Sequence, residues 1–364
     1  MDHGEYMQLA LQLAKSGQGQ THPNPAVGCV VVKNDAIVGI GSHLKAGEPH
    51  AEVHAVRMSG ADAAGSTVYV TLEPCSHYGR TPPCADLLVR TEVREVYVAC
   101  LDPNPRVSGR GVERLKTAGI TVHVGLMREQ AEAVNASFFH FMKTGRPYVT
   151  LKQAISLDGK IATSGGESQW ITGEKARYDG HRYRDKSDAI LVGVNTVIAD
   201  NPSLTARLEG GGRNPVRVVL DSRLRLPLDA KVLTDGEAET WVVTTRLSMV
   251  EKRRKLKALG ADVIVMDGET IEINALLRSL GEREIVSLLV EGGASVSGSF
   301  LEARCADQVV TYIAPKLLGG SDAPSAFAGK GFEKLADAVG LTFASVERFG
   351  SDLKIIATRE ERNR

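Results

Sequence analysis

The chain has 364 residues, of which 43% are hydrophobic, a composition typical of ordinary globular proteins with room for two domains. Its 44 basic and 44 acidic residues cancel, and this balance argues against nonspecific binding to nucleic acid. No apolar run approaches the roughly 18 residues of a membrane helix, so we expect no membrane partner. An odd count of five cysteines is typical of proteins in a reducing compartment, so we expect a cytoplasmic protein.

The first 145 residues alternate predicted helices and strands. An amphipathic helix over 6–16 precedes a hairpin of two strands, 27–32 and 37–40. His50 follows Pro49, so a helix over 50–58 would hold this histidine in its first turn. Further strands are predicted over 68–72, 93–99 and 121–124, and further helices over 85–90, 111–118 and 128–143. Such alternation predicts a layered α/β sheet.

Four residues of this half form a candidate zinc site. His50, Cys75 and Cys84 offer one imidazole and two thiolates, which leaves a fourth coordination position for water, as in catalytic zinc sites. Zinc makes water acidic enough to supply hydroxide near neutral pH. Glu52, two residues from the first ligand, could carry the proton from that water to a leaving nitrogen. This division of roles is that of zinc-dependent base deaminases.

The spacing of the two cysteines departs from the common deaminase signature. That signature ends in Cys-x-x-Cys, whereas residues 76–83 separate Cys75 from Cys84. Taken singly, each of these residues could be an ordinary core cysteine or a hydrogen-bonded histidine. A zinc-stabilised binding module without catalysis also stays open, because His54 or His77 could supply a fourth ligand.

A break at Gly145-Arg146-Pro147 ends the last helix of this half, and the alternation of strands and helices then restarts. We therefore predict two domains, 1–145 and 146–364; the alternative is a loop within one larger domain. The second half contains a predicted helix over 177–184, a second predicted helix entered through 292–299, and nine predicted strands: 148–152, 189–193, 216–221, 240–244, 263–266, 285–291, 308–314, 341–348 and 353–358.

Several features of the second half suggest a site for a phosphorylated ligand. Glycines between a buried strand and a helix let backbone N–H groups approach an anion, so 292–299 is a candidate phosphate cradle, although it lacks the Gly-x-Gly-x-x-Gly fingerprint and could be a simple tight turn. Glu291 ends an apolar strand, where a charge is costly without a partner or a task. Arg184 and Arg207 could clamp a phosphate, and Trp170 could stack on a ring or be half-buried.

Both halves together resemble one family, the bifunctional deaminase/reductases of riboflavin biosynthesis. The deaminase half is indicated by His50-Ala51-Glu52 and the segment 73–84 with its long insert, and the reductase half by the segments 156–160, 200–207 and 290–293. The resemblance implies an α/β protein with an N-terminal cytidine-deaminase-like three-layer α/β/α domain and a C-terminal dihydrofolate-reductase-like α/β domain.

The resemblance also implies two reactions on phosphorylated pyrimidines. Zn²⁺-dependent deamination of 2,5-diamino-6-(5-phosphoribosylamino)pyrimidin-4-one is followed by NADPH-dependent reduction of 5-amino-6-(5-phosphoribosylamino)uracil to the ribitylamino product. Asn24 resembles the family's base-holding asparagine, and Lys152 is a candidate beside the reacting carbon. The NADPH contacts implied are Ala154, Trp170, Thr196, Asp200, Ser222, Gly293, Ala294, Ser295, Val296, Ser297, Gly298 and Ser299. The substrate contacts implied are Ser168, Arg184, Leu204, Arg207 and Glu291.

Two further alternatives concern how the halves work together. The chain could be a nucleoside or RNA-editing deaminase with an unrelated appendage, which predicts zinc but no NADPH. Alternatively, only one half is active.

No single arginine in the sequence can be identified as the group that binds the NADPH phosphate. The expected preference for NADPH over NADH therefore depends on the resemblance. We also expect a homo-oligomer, because exposed apolar helix faces would permit self-association.

Overall fold

The computed structural model describes residues 1–78, 82–104 and 108–359 and divides into two compact units, Met1–Gly145 and Arg146–Arg364. No helix in these described ranges is long and apolar enough to cross a membrane. The helices and strands of the first unit are α1 (His3–Ser16), β1 (Gly28–Lys33), β2 (Ala36–Ser42), α2 (Ala51–Ser59), β3 (Thr67–Val70), α3 (Cys84–Arg90), β4 (Glu95–Val98), α4 (Arg110–Thr117), β5 (Thr121–Val124), α5 (Arg128–Val134) and α6 (Ala136–Thr144).

The first unit is a five-stranded sheet with helices on both faces. Its strand order is β2-β1-β3-β4-β5, with β1 antiparallel to both neighbours and β3, β4 and β5 parallel. Successive strand side chains point to opposite faces: Cys29 and Val31 pack against α2, α3 and α4, whereas Val30 and Val32 pack against α1 and α5. Two cores, one on each face, give the three-layer α/β/α arrangement.

The predicted helix over 128–143 is wrong in one respect, because the structure has two helices there, α5 and α6, separated at Asn135. The buried Asn135 side chain accepts a hydrogen bond from the Ala26 N–H at 2.8 Å and donates one to the Ala26 carbonyl at 2.9 Å. Asparagine side chains that bond to backbone compete with helical geometry. The break therefore follows from a contact with a distant segment.

The second unit contains one large sheet. Its helices and strands are β6 (Tyr148–Ser156), α7 (Glu174–Lys186), β7 (Ala189–Gly193), α8 (Val194–Asp200), β8 (Val216–Leu220), α9 (Lys231–Thr234), β9 (Thr240–Thr245), α10 (Val250–Ala258), β10 (Asp262–Met266), α11 (Ile273–Glu282), β11 (Ser287–Val290), α12 (Ala294–Glu302), β12 (Gln308–Ala314), β13 (Leu341–Phe349) and β14 (Asp352–Arg359). The nine strands lie in the order β10-β9-β8-β7-β11-β6-β12-β14-β13.

Most of this sheet is parallel, and only the pairs β12–β14 and β13–β14 are antiparallel. One apolar core packs α11 and α12 against one face, and a second packs α8, α9 and α10 against the other. The predicted α/β class is confirmed in both units. Because the carboxyl ends of β8, β7, β11 and β6 share one edge, the loops that follow them meet there, where open α/β sheets place their ligands.

Candidate active sites

The three predicted zinc ligands come together in the first unit. The Nδ1 atom of His50 lies 3.6 Å from the Cys75 Sγ and 3.3 Å from the Cys84 Sγ, and all three candidate ligand atoms lie within 4.8 Å of one another. One imidazole and two sulfurs at this spacing fit zinc. Within the described ranges no fourth His, Cys, Asp or Glu joins the cluster, and neither His54 nor His77 is part of it.

Local structure explains why these three atoms converge. His50 is the N-cap of α2 rather than part of its first turn, which corrects the predicted start of that helix. Cys84 is the first residue of α3, and its backbone N–H donates to the Cys75 Sγ at 3.3 Å. The Cys84 thiol and His50 stabilise the Cys75 thiolate and lower its pKa to about 4, whereas the pKa of Cys84 is raised. Cys75 is thus the sulfur that ionises first.

Glu52 lies beside the cluster on the first turn of α2, and its side chain is buried. Burial, and then the charge of Cys75, raise its pKa to about 7, although its hydrogen bond with Cys84 opposes the change. A carboxyl that titrates near neutrality can both accept and return a proton. The predicted proton carrier therefore stands next to the predicted metal position without belonging to the ligand set.

His43 is a residue of this site that the sequence analysis missed. It is buried, its ring lies 5.2 Å from that of His50, and its Nδ1 donates to the Pro49 carbonyl at 3.2 Å. The amide of Asn24, the predicted base-holding residue, lies 3.4 Å from its Nε2. Burial lowers the pKa of His43, so the ring is neutral and its Nε2 accepts from Asn24. His43 thereby orients Asn24.

Glu73, in the motif Glu73-Pro74-Cys75, has a structural role. Its buried carboxylate accepts four backbone hydrogen bonds of 2.8 to 3.3 Å. The donors are the N–H groups of Asp102, Gly109, Gly111 and Val112. A Cβ at Gly111 would lie 2.0 Å from the Pro74 carbonyl oxygen. The start of α4 therefore packs directly on the segment that carries Cys75 and fixes its position.

A largely buried ion cluster lies at the carboxyl end of β11 in the second unit. Arg184 donates from Nε and from one terminal nitrogen to the two carboxylate oxygens of Glu291, both at 2.9 Å, and from the other to the Thr205 carbonyl at 3.1 Å. The Lys152 Nζ lies 3.5 Å from Glu291. Burial would raise the pKa of Glu291, but these two cations lower it to about 2. The cluster joins two predicted substrate contacts to Lys152.

A cavity of about 600 Å³ opens where the loops after β7, β8 and β11 meet, and Gly293 in its wall follows Glu291 by two positions in the chain. Thr196, Ser222 and residues 293–296, all predicted NADPH contacts, line it. A Cβ at Gly193 would lie 2.9 Å, and one at Gly292 2.6 Å, from the Val296 side chain. Glycine therefore lets α12 approach the strands closely. No side chain caps the start of α12, so its first N–H groups can bind a pyrophosphate.

The rest of the predicted cradle faces elsewhere. Ser297 is buried and accepts a hydrogen bond from the Gln153 amide at 2.7 Å. A Cβ at Gly298 would lie 1.7 Å from the Ala328 carbonyl oxygen, so this glycine is a packing contact. Ser299 is exposed and donates to the Ser295 carbonyl. Only the first turn of α12 lines the cavity.

The remaining predicted NADPH contacts are Ala154, Asp200 and Trp170. Ala154 is on β6, paired with Tyr312 of β12, and Asp200 is the exposed last residue of α8. Trp170 is 62% exposed, with the Arg177 guanidinium 4.7 Å above its ring.

Three predicted substrate contacts lie outside the ion cluster. Ser168 is half-buried and Arg207 exposed. The Leu204 side chain is buried in the core, so it offers only its backbone to a ligand.

A His–Cys–Cys cluster beside a buried glutamate, on a sheet layered with helices, defines a zinc-dependent deaminase. The second unit, with its glycine-lined cavity and largely buried Arg–Glu pair, has the fold and site of a nucleotide-dependent reductase. The chain as a whole therefore has the features of a two-activity enzyme.

Comparisons with known proteins agree in both halves. The family model for the cytidine and deoxycytidylate deaminase zinc-binding region matches residues 1–100, and that for the RibD C-terminal domain matches residues 147–355. The riboflavin biosynthesis protein RibD of Bacillus amyloliquefaciens is 53% identical over 97% of this chain and 95% of its own length. That of Escherichia coli K12 is 45% identical over 96% of this chain and 97% of its own.

Solved structures agree as well. A structure of Acinetobacter baumannii RibD is 42% identical, with a TM-score of 0.89 over 98% of this chain and 99% of its own. A deaminase/reductase of the same class from Thermotoga maritima is 36% identical, with a TM-score of 0.87 over 98% of both chains.

The chain belongs to the RibD family of bifunctional riboflavin biosynthesis enzymes. It is a deaminase and a reductase, with zinc and NADPH as its cofactors. The alternative of a nucleoside or RNA-editing deaminase with an unrelated appendage is wrong, because residues 147–355 match the RibD reductase domain.

Proposed function

We propose that residues 1–145 deaminate the phosphorylated diaminopyrimidine and that residues 146–364 reduce the deaminated product with NADPH. The observation that carries the deaminase assignment is the convergence of His50, Cys75 and Cys84 beside buried Glu52. The reductase assignment is supported by the Arg184–Glu291 pair next to a glycine-lined cavity. Each unit has its own sheet and its own candidate site.

In the deaminase site, His50, Cys75 and Cys84 would hold zinc, which would make a water molecule acidic enough to supply hydroxide near neutral pH. Glu52 accepts a proton from the attacking water and delivers it to the exocyclic nitrogen. The ring carbon keeps the water oxygen as a carbonyl, the second water proton ends on the adjacent ring nitrogen, and the exocyclic nitrogen leaves as ammonia when its bond to the carbon breaks. Asn24, oriented by His43, holds the pyrimidine edge. Glu73 fixes the segment that carries Cys75.

In the reductase site, NADPH supplies the hydride that converts the ribosyl group to a ribityl chain. Glu291 holds the Arg184 guanidinium and the Lys152 ammonium in place. Lys152 can then donate a proton to the sugar oxygen as the hydride reaches the adjacent carbon. Ser168, Arg207 and the backbone at Leu204 bind the phosphorylated sugar, and the first turn of α12 binds the cofactor pyrophosphate.

The experiment that tests the deaminase site is the replacement of Glu52 by Gln. We expect ammonia release from the diaminopyrimidine to fall by about 10²- to 10⁴-fold, while zinc stays bound, because Glu52 is not among the ligands. Undiminished ammonia release would contradict the proposal.

We also propose that the protein self-associates and acts in the cytoplasm. Exposed apolar side chains on β13, at the edge of the nine-stranded sheet, support self-association. All five cysteines are free, which suits a reducing compartment. Finding the protein outside the cytoplasmic fraction of its cell would contradict the location.

A further inference from the structure

We propose that Arg223 and Arg225, on the turn after β8, bind the 2′-phosphate that distinguishes NADPH from NADH. This inference deepens the proposed reductase function and depends on it. Both arginines line the cavity that Thr196 and the first turn of α12 also line. They would therefore set the cofactor preference of the site.

The turn that carries the two arginines is firmly built. Leu224 and Leu226 are buried, whereas Arg223 and Arg225 alternate with them and are exposed. The Asp221 carboxylate accepts a hydrogen bond from the Leu226 N–H at 2.7 Å. The alternation places both guanidinium groups on the cavity side of a rigid turn.

Ser222, which joins β8 to this turn, is also held in place by hydrogen bonds. The Ser222 carbonyl accepts hydrogen bonds from the Thr244 and Thr245 hydroxyls, at 3.2 and 2.8 Å. A site whose backbone is held in this way loses little conformational freedom when it binds a ligand. The turn therefore already has a fixed conformation before an anion binds.

The order of the strands determines which end of the dinucleotide reaches this turn. β8, β7, β11 and β6 are adjacent and parallel, so their carboxyl ends form one continuous edge. The ion cluster with Lys152 lies on the β6 side of this edge, where the nicotinamide must meet the substrate. With the pyrophosphate at α12, after β11, the adenosine half extends past β7 to the turn after β8.

Charge favours a phosphate at this end of the cavity. No carboxylate of the described chain lies within ion-pair distance of Arg223 or Arg225, in contrast to Arg217, whose partner Asp235 lies 2.7 Å away. Asn195 accepts a hydrogen bond from Arg225 at 2.5 Å and orients it. Unpaired guanidinium groups bind phosphate by charge-assisted hydrogen bonds. NADH has only a neutral hydroxyl at the same position.

Asp221 does not take the role that an acidic residue has in NAD enzymes, where it binds the ribose 2′-hydroxyl. Its side chain is 1% exposed, with one carboxylate oxygen bonded to the Leu226 N–H and the other buried. The groups at this turn that reach the ligand are therefore the cationic ones, together with Ser222.

The test compares dissociation constants of NADPH and NADH, measured by titration of nicotinamide fluorescence on the full chain. The variants are Arg223→Met, Arg225→Met and the double replacement. We expect wild type to prefer NADPH, each single variant to weaken NADPH binding about tenfold with NADH unchanged, and the double variant to lose the preference. Adenosine 2′,5′-bisphosphate should lose affinity in parallel, and adenosine 5′-phosphate should not.

The matched control is Arg246→Met, an exposed arginine paired with Glu269 at 3.0 Å and not among the residues that line the cavity. It should leave both dissociation constants unchanged. An unaltered NADPH/NADH ratio in the double variant, or an equal loss of both ligands, would overturn the assignment. If wild type binds both dinucleotides equally, the assignment is wrong although the reductase function stands; if wild type binds neither, both are wrong.

Discussion

Two largely buried glutamates have pKa values shifted in opposite directions, that of Glu52 chiefly by burial and that of Glu291 by the cations beside it. Glu52 is buried beside the ionisable sulfur of Cys75, and its pKa is raised to about 7. Glu291 is bound by Arg184 and Lys152, and its pKa is lowered to about 2. A carboxyl near neutrality can transfer protons, whereas one that stays charged can hold cations in place. The shifts thus agree with the roles proposed for the two residues.

The low pKa of Glu291 predicts how stability depends on pH. Because its folded pKa lies below the usual 4.5, its stabilising contribution is complete above pH 4.5 and is lost as pH falls towards 2. The excess unfolding free energy of wild type over Glu291→Gln should therefore shrink by about 2 kcal/mol between pH 5 and pH 3. Urea unfolding followed by tryptophan fluorescence measures this, since both tryptophans, Trp170 and Trp241, lie in the second unit. A constant difference would contradict the ion cluster.

Site residues that lie close together in the sequence were easier to predict than site residues that only the folded structure brings together. His50 and Glu52 form a local motif, and Cys75 follows a recognisable strand. His43 joins the site only because its ring meets Asn24 and His50 in the folded unit. Arg223 and Arg225 likewise line the cavity only because β8 lies next to β7.

At the scale of elements, α7 packs on the sheet with charged residues among its buried ones. The buried residues Ala176, Asp179 and Gly180 and the half-buried Tyr183 and Arg184 have the i, i+3, i+4, i+7, i+8 spacing of a helical face that packs on a sheet. Asp179 accepts hydrogen bonds from the Lys354 Nζ and the Tyr312 hydroxyl, both at 2.6 Å, and Arg184 binds Glu291. The helix is therefore fixed on the sheet by two largely buried ion pairs.

This arrangement predicts that Asp179→Asn and Lys354→Met each lower the unfolding free energy of the second unit by about 3 kcal/mol, because each leaves a buried charge without its partner. The double replacement should cost less than the sum. The control is Glu251→Gln in the exposed Lys255–Glu251 pair of α10, which should have no measurable effect. Urea unfolding by tryptophan fluorescence gives these values, and additive effects would argue against a coupled pair.

Strands were predicted more reliably than helices. Predicted strands 121–124, 189–193 and 308–314 match β5, β7 and β12, and β7 is the buried, continuous apolar run from which a strand is most easily predicted. The break at Asn135 could not be predicted, because it depends on Ala26. No element was predicted over α11, although its buried Ile273, Leu276, Leu277 and Leu280 have helical spacing.

At the scale of the whole molecule, the exposed edge of the second sheet predicts self-association. β13 is the last strand of the sheet, and its side chains include Phe343, 70% exposed, and Val346, 58% exposed. Unpaired strand edges with exposed apolar side chains are sites of association.

We expect wild type to have a mass in solution that is a multiple of 39.0 kDa, and Phe343→Glu with Val346→Glu to shift it to 39.0 kDa. Light scattering measures this mass. Met58→Glu, at an equally exposed position on α2, is the control and should not change it. A wild-type mass of 39.0 kDa would contradict the prediction.

The most direct test of two separate sites measures ammonia release, zinc content and NADPH oxidation on the same samples of wild type, Glu52→Gln, Glu291→Gln and the exposed control Glu129→Gln on α5. Glu52→Gln should lose ammonia release yet keep its zinc and still oxidise NADPH with the deaminated substrate. Glu291→Gln should release ammonia and keep its zinc but lose NADPH oxidation, and Glu129→Gln should match wild type. Full ammonia release by zinc-loaded Glu52→Gln, or full NADPH oxidation by Glu291→Gln, would contradict the account.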